Sequence, residues 1–98
     1  MATSMVVSGL STTNWVQDTP KVLHIDVDTS AAKFTKTPVY VASLYARSGH
    51  WGVIGVGSIF TPTATGFSVY INRSDFSPLA LDSAVSGEWR VAWIGIED

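Results

Sequence analysis

The chain has 98 residues, which suits one domain with a single two-layer core and is too short for two domains. Its residues are 46% hydrophobic and only 14% charged, against roughly a quarter charged in typical soluble domains. Net charge is −2 and no two Lys or Arg residues are adjacent, so the chain lacks the basic footprint of a nucleic-acid-binding protein. We therefore expect no nucleic-acid partner, and we expect some apolar surface to meet a protein partner.

Cysteine is absent from the sequence, which excludes disulfides, thiolate catalysis and cysteine-based zinc sites. The first residues lack the basic and apolar regions of a signal peptide. No apolar stretch approaches the roughly 20 residues that span a bilayer. We expect a soluble protein without membrane insertion, located either in the cytoplasm or outside the cell after removal of a signal.

The first confident strand covers residues 22–28, where Leu23, Ile25 and Val27 alternate with polar residues. Before it, residues 1–13 are expected to be less ordered or to form an edge strand. A second strand, residues 39–45, follows Pro38, which loses no ladder hydrogen bond at the first position of a strand. Short runs of this kind, bounded by Gly, Pro, Ser and Asp, predict strands joined by turns.

The middle of the chain predicts two further strands. Residues 51–60 are expected to form one bent strand, because three glycines interrupt the run. Residues 61–66 predict a turn, and residues 67–71 alternate again as a strand. The stretch 72–87 is the least patterned, with a short turn or helical piece expected over residues 79–84.

The last strand, residues 88–96, is apolar on both faces. Trp89, Val91 and Trp93 lie on one side, and Ile94 and Ile96 lie on the other with Ala92. One face can cover the core of a sandwich, while the other needs a second cover. In so small a domain that cover is expected to be another subunit.

Metal, cofactor and catalytic motifs are missing from the sequence. His24 and His50 lack metal-ligand spacing, and Asp26 and Asp28 fit a solvated strand face better than a calcium loop. The glycine-rich residues 52–58 lack the following helix and the Gly-Lys-Ser/Thr ending of a phosphate loop. No Ser-His-acid grouping or nucleophile elbow is evident, so we expect a protein without enzymatic activity, cofactor or metal.

Polar and aromatic residues collect in three loops of the predicted fold. The candidate ligand-binding residues are Asp18; Arg47, His50 and Trp51; and Asn72, Arg73 and Asp75. Carboxylate, amide and guanidinium groups fix sugar hydroxyls by directional hydrogen bonds, and an indole packs on the apolar face of a pyranose. The alternative is ordinary solvated loops, with Trp15 and Trp51 in the core.

Three stretches, residues 34–44, 65–69 and 91–97, resemble the H-type lectin domain in order and approximate spacing. This is the family of snail agglutinins and discoidin C-terminal domains. The resemblance covers roughly residues 14–98. It implies a six-stranded antiparallel β-sandwich that assembles as a homotrimer, sometimes doubled to a hexamer, with glycan sites near subunit borders for galactose-type sugars.

The family's sugar-contacting residues are only partly matched. Its arginine falls on or near Gly52, the asparagine two residues earlier falls near His50, and its Trp-His pair meets Asn72 and Arg73. Its early acidic contact corresponds to Asp18 with a gap. The resemblance favours a multivalent carbohydrate-binding protein. The alternative is a structural module without sugar binding, such as a trimerising component of a virion or tail.

Overall fold

The computed structural model describes residues 4–98, which form two antiparallel β-sheets and one short helix. The strands are β1 (Met5–Leu10), β2 (Val16–Thr19), β3 (Val22–Asp28), β4 (Val39–Tyr45), β5 (Val53–Ile54), β6 (Phe60–Thr63), β7 (Gly66–Arg73) and β8 (Arg90–Glu97). The helix α1 (Leu81–Ser86) precedes β8, and a 3₁₀ turn (Ser30–Ala32) follows β3. The predicted all-β class with antiparallel sheets is confirmed.

The smaller sheet has three strands in the order β1-β8-β4. Its central strand pairs without a bulge along both neighbours, from Val6↔Ile96 to Leu10↔Ala92 on one side and from Val39↔Ile96 to Tyr45↔Arg90 on the other. Side chains of the three strands therefore stand in rows across the sheet, alternately facing inward and outward.

The larger sheet has the order β2-β3-β7-β5, and β6 also pairs with β7. β3 and β7 pair from Leu23↔Ile71 to Asp28↔Gly66 and supply two rows of inward-facing apolar side chains. β5 pairs with the last two residues of β7, Asn72 and Arg73. This pairing brings the loop before β5 next to the loop after β7.

The two sheets share one hydrophobic core. Leu23, Ile25, Val69 and Ile71 of the larger sheet are almost completely buried, and so is Val91 of the smaller sheet.

Tyr40 of β4 crosses between the sheets. Its ring lies 4.4 Å from that of Phe67 in β7, and its hydroxyl lies 2.7 Å from the Thr29 hydroxyl. The hydroxyl also donates to the Thr63 carbonyl oxygen at 2.7 Å. β8 begins at Arg90, two residues later than the predicted strand 88–96. Its inward-facing Trp93 is buried as the pattern predicts, and so is Trp89 just before the strand.

Several strand boundaries match the sequence prediction and others do not. The strands at residues 22–28 and 39–45 have the predicted bounds, and β1 is an edge strand within the predicted edge segment, of which residues 1–3 lie outside the described chain. Residues 51–60 do not form one bent strand, because Gly52 and Gly55 adopt positive φ angles of 75° and 108° and break the run. The predicted turn at 61–66 is shorter, since β6 continues to Thr63.

The helical piece expected over 79–84 is present as α1, shifted toward the C-terminus. No helix formed by residues 4–98 has both the length and the apolar character that crossing a membrane requires.

Candidate functional site

A polar cavity of about 360 Å³ lies between the loop before β5 and the loop after β7. Three of the residues proposed from sequence line it, namely Trp51, Arg73 and Asp75. The remaining lining residues are Gly52, Ser74 and Ser77. We call this cavity the Trp51 site.

The first wall of the Trp51 site is a tight turn. The amide of Val53 donates to the His50 carbonyl oxygen at 3.2 Å, and the turn requires the positive φ of Gly52. Gly52 in turn accepts a hydrogen bond from the Ser74 amide at 2.7 Å, which ties the turn to the end of β7. Trp51 lies between these anchors and is 94% exposed, so its indole is open to solvent.

The rest of the loop before β5 is fixed on its other side. The Arg47 amide donates to the Gly87 carbonyl oxygen at 2.8 Å, and the buried Trp89 indole donates to the Ser48 carbonyl oxygen at 2.7 Å. Trp51 is therefore an exposed aromatic residue in a loop held at both ends. Such an exposed indole adds nothing to the core and is suited to contact a ligand.

The second wall of the Trp51 site is the loop that leaves β7. Asp75 accepts hydrogen bonds from the Ser77 amide at 3.0 Å and the Ser77 hydroxyl at 2.7 Å, both at Oδ1. These bonds make an Asx-type turn and hold the pKa of Asp75 below its ordinary value, with a smaller contribution from the charge of Arg73. Asp75 is therefore a carboxylate at neutral pH, and its Oδ2 is not used in this turn.

Arg73 is held in place through one nitrogen. Its Nε donates to the Pro78 carbonyl oxygen at 3.2 Å, a bond that does not use the two terminal nitrogens of the guanidinium. The site therefore combines directional donors, carboxylate and hydroxyl acceptors, and an aromatic face. That combination can bind a polyhydroxylated ligand with apolar patches, as a pyranose is.

The other residues proposed from sequence do not line the Trp51 site. Arg47 lines a separate cavity of about 300 Å³, where it lies 3.4 Å from Glu88. Asn72 donates from Nδ2 to the Arg73 carbonyl oxygen at 2.9 Å, and Nδ1 of His50 is buried without a hydrogen bond to residues 4–98. Asp18 contacts Nδ1 of His24 at 2.6 Å on the larger sheet.

Neither of the two serines that line the site was among the residues predicted from the sequence. Ser77 was detectable, because an Asp-x-Ser sequence after a strand is a signal for an Asx turn. Ser74 has no such signal, since its place depends on the pairing of β5 with β7. The alternative that places both Trp15 and Trp51 in the core is right for Trp15, which is buried and donates to the Trp89 carbonyl oxygen at 3.0 Å, and wrong for Trp51, which is exposed.

A second polar groove, of about 320 Å³, lies along β6, β7 and the end of β3. Its two carboxylates are engaged locally, since Asp26 accepts from the Ser68 hydroxyl at 2.5 Å and Asp28 accepts from the Ser30 amide at 2.8 Å. Its aromatic residue, Phe67, is buried. Nowhere in residues 4–98 do three His, Asp or Glu side chains come close enough to hold a metal ion.

Comparison with protein-family models, with curated proteins and with solved structures found no match to this chain.

Proposed function

We propose that the protein is a non-enzymatic, lectin-like carbohydrate-binding protein, that the Trp51 site receives the sugar, and that the protein acts as a multivalent oligomer. The observation that carries the proposal is the exposed indole of Trp51 beside Arg73 and Asp75 in one cavity. The indole packs on the C–H face of a pyranose ring. The guanidinium and the carboxylate then bind neighbouring hydroxyl groups.

The charge balance of the site favours a neutral sugar. Arg73 and Asp75 line the same cavity with opposite charges, so an acidic sugar would gain one favourable contact and one unfavourable contact. Hydroxyl groups can donate to the Asp75 carboxylate and accept from Arg73, which satisfies both residues. A neutral hexose or N-acetylhexosamine is the chemical class that this pair fits.

The H-type lectin relationship is part of this proposal. The stretches that resemble the family fall largely on three strands, β4, β7 and β8. β4 and β8 are adjacent in the smaller sheet, and β7 faces them across the core through the Tyr40–Phe67 contact. This arrangement supports an H-type lectin-like sandwich that has eight strands instead of the expected six and carries its own set of ligand residues.

The test is a glycan array followed by titration of the protein with the glycans that bind. Arg73→Ala should weaken binding at least tenfold, because it removes the donor side of the site. Arg47→Ala is the matched control, since it removes the same charge from an exposed residue in a separate cavity. Equal binding by both variants and the unaltered protein would place the site elsewhere.

A structural assembly module without sugar binding is the second candidate function. The outer surface of the β1-β8-β4 sheet is apolar and exposed, a feature of subunit interfaces that sugar binding does not require. A folded, oligomeric protein that binds no glycan on a broad array would favour this candidate over the lectin-like one.

A further inference from the structure

The outer surface of the three-stranded sheet is mostly apolar, with eight apolar or aromatic residues among eleven. Eleven side chains of β1, β8 and β4 face outward by strand alternation, and they stand in rows set by the strand pairing. They are Val6, Ile96 and Val39; Ser8, Ile94 and Val41; Leu10, Ala92 and Ser43; and Arg90 with Tyr45. We call this surface the outer face.

The apolar area of the outer face is close to that of a subunit interface. Its seven large apolar side chains are 36–66% exposed. Together they present roughly 600 Å² of apolar surface to solvent. The largest apolar patch on a typical monomer is about 300–600 Å², and a standard interface buries about 800 Å² per partner. The outer face alone supplies most of what a stable interface needs.

We infer that a second copy of this chain covers the outer face, and that the protein is a closed homo-oligomer joined through β1, β8 and β4. This inference rests on the oligomer of the proposed function and specifies its interface, whereas sugar binding at the Trp51 site is tested separately.

The low charge of the outer face favours a second copy of this chain as its partner. Arg90 is the one charged side chain of the outer face, and its Nη1 already donates to the Ser11 carbonyl oxygen at 3.2 Å. A face with a single charge has no pattern for an oppositely charged partner, whereas the apolar rows of two such faces can pack together while Arg90, in the last row, stays at the rim. Interfaces of this composition, resembling a core cut in half, are typical of permanent homo-oligomers.

The outer face also carries a groove of about 630 Å³ around the small side chain of Ala92, in the middle strand. Its lining includes Leu10, Val41 and Ile94. Ile96 is exposed two residues further along the same strand and does not line the groove. An exposed side chain such as Ile96 of one copy can fill the groove of the next, and such contacts close into a ring when rotation brings the last copy to the first.

The unprotected edge strands of the smaller sheet also support an interface at the outer face. β1 and β4 are both edge strands, and neither contains a proline, a charged residue or a bulge. Proteins protect free edges with these features because an open edge invites pairing with another chain. An edge strand that borders a subunit interface does not need a proline, a charge or a bulge, because the neighbouring subunit covers it.

The test is light scattering after size exclusion at low micromolar concentration. We expect the unaltered chain to elute with the mass of several 10.5 kDa subunits, three in the trimer that the sequence predicts. Val41→Lys should shift the protein to the mass of one subunit. Val16→Lys is the matched control, because Val16 has a similar exposure, 48% against 55%, on an edge strand of the other sheet.

Two results would overturn the inference. One is a single-subunit mass for the unaltered chain, including a monomer that binds phosphatidylcholine vesicles through this surface instead. The other is a Val41→Lys protein with the same mass as the Val16→Lys control.

If Val41→Lys does not fold, cysteine labelling can test the interface instead, since the chain has no cysteine. A thiol introduced by Ser43→Cys should react with a maleimide at least tenfold more slowly than one introduced by Ser86→Cys, because the second copy covers it. Ser43 lies on the outer face and Ser86 is exposed in α1. Equal rates would contradict the interface.

Discussion

Replacing Tyr40 by phenylalanine should destabilise the protein by about 2 kcal/mol, because it removes the hydroxyl that links β4 to the 3₁₀ turn and to β6. The hydroxyl lies 2.7 Å from both the Thr29 hydroxyl and the Thr63 carbonyl oxygen. Thr29 is 1% exposed, so its hydroxyl would lose a partner that water cannot replace. Leaving a buried polar group unpaired costs about 1–3 kcal/mol. The Thr63 carbonyl belongs to an exposed residue and adds less.

Thermal unfolding at fixed protein concentration measures this effect. A loss of about 2 kcal/mol corresponds to a fall in Tm of roughly 8–16 °C for a domain of this size. Tyr70→Phe is the matched control, because Tyr70 lies in β7 of the larger sheet, away from the outer face, and is 41% exposed. Its Tm should change little, as surface substitutions usually remain within about 0.5 kcal/mol. Similar Tm values for the two variants would refute the role given to the Tyr40 hydroxyl.

Two further predictions concern the Trp51 site and the C-terminal strand. Trp51→Ala should leave Tm unchanged but weaken glycan binding about 30-fold, the effect of losing a contact of roughly 2 kcal/mol. Phe60→Ala is the control for glycan binding, because it removes an exposed aromatic side chain outside the site. A large fall in the Tm of the Trp51→Ala protein would show that the indole has a structural role. Glu97 accepts hydrogen bonds from the Thr35 hydroxyl and amide, and the first of these is the main reason its pKa lies below the ordinary 4.5. This stabilisation is present above about pH 4.5 and is lost as pH falls through the folded-state pKa. Glu97→Gln should therefore lower the free energy of unfolding at pH 7, and the difference from the unaltered protein should disappear in acid. Parallel curves of stability against pH for the two proteins would contradict this role of Glu97.

Alternation along the strands explains which parts of the fold could be predicted. Residues 22–28 and 39–45 alternate cleanly, because each strand has one face on the core, and their bounds match β3 and β4. β2 carries no such signal, since all four of its residues are exposed and Val16 is its one apolar residue. Its place at the edge follows from pairing with β3, which no local pattern encodes.

The Trp51 site depends on contacts between distant parts of the chain. Trp51 and Arg73 were proposed from residue type, and the pairing of β5 with β7 is what brings them together. Arg47 was grouped with Trp51 because the two residues are close in sequence. The hydrogen bond from its amide to Gly87, and its side-chain contact with Glu88, place it in a different cavity. Proximity in sequence was therefore a weaker guide than strand pairing.

The sequence pattern of β8 predicted two apolar faces, and only one of them is buried within the single chain. The pattern predicts two apolar faces, and Val91 and Trp93 are indeed buried on the inner one. On the other side, Ile94 and Ile96 are exposed in the single chain. The sequence of β8 could indicate that this face needs a cover. The area and shape of the face could not be predicted from it, because they depend on the pairing of three strands.

The most direct test of the central claim is an NMR titration of the uniformly ¹⁵N-labelled protein with galactose, N-acetylgalactosamine, mannose and glucose at millimolar concentrations. Binding at the Trp51 site should shift the indole N–H resonance of Trp51 and the amide resonances of Gly52, Ser74 and Ser77, which line the cavity. The buried Trp15 indole should not respond, and it serves as the internal control. Saturable shifts confined to these residues are the predicted result. Shifts confined to the groove beside Asp26, or no response to any of the four sugars, would contradict the proposed site.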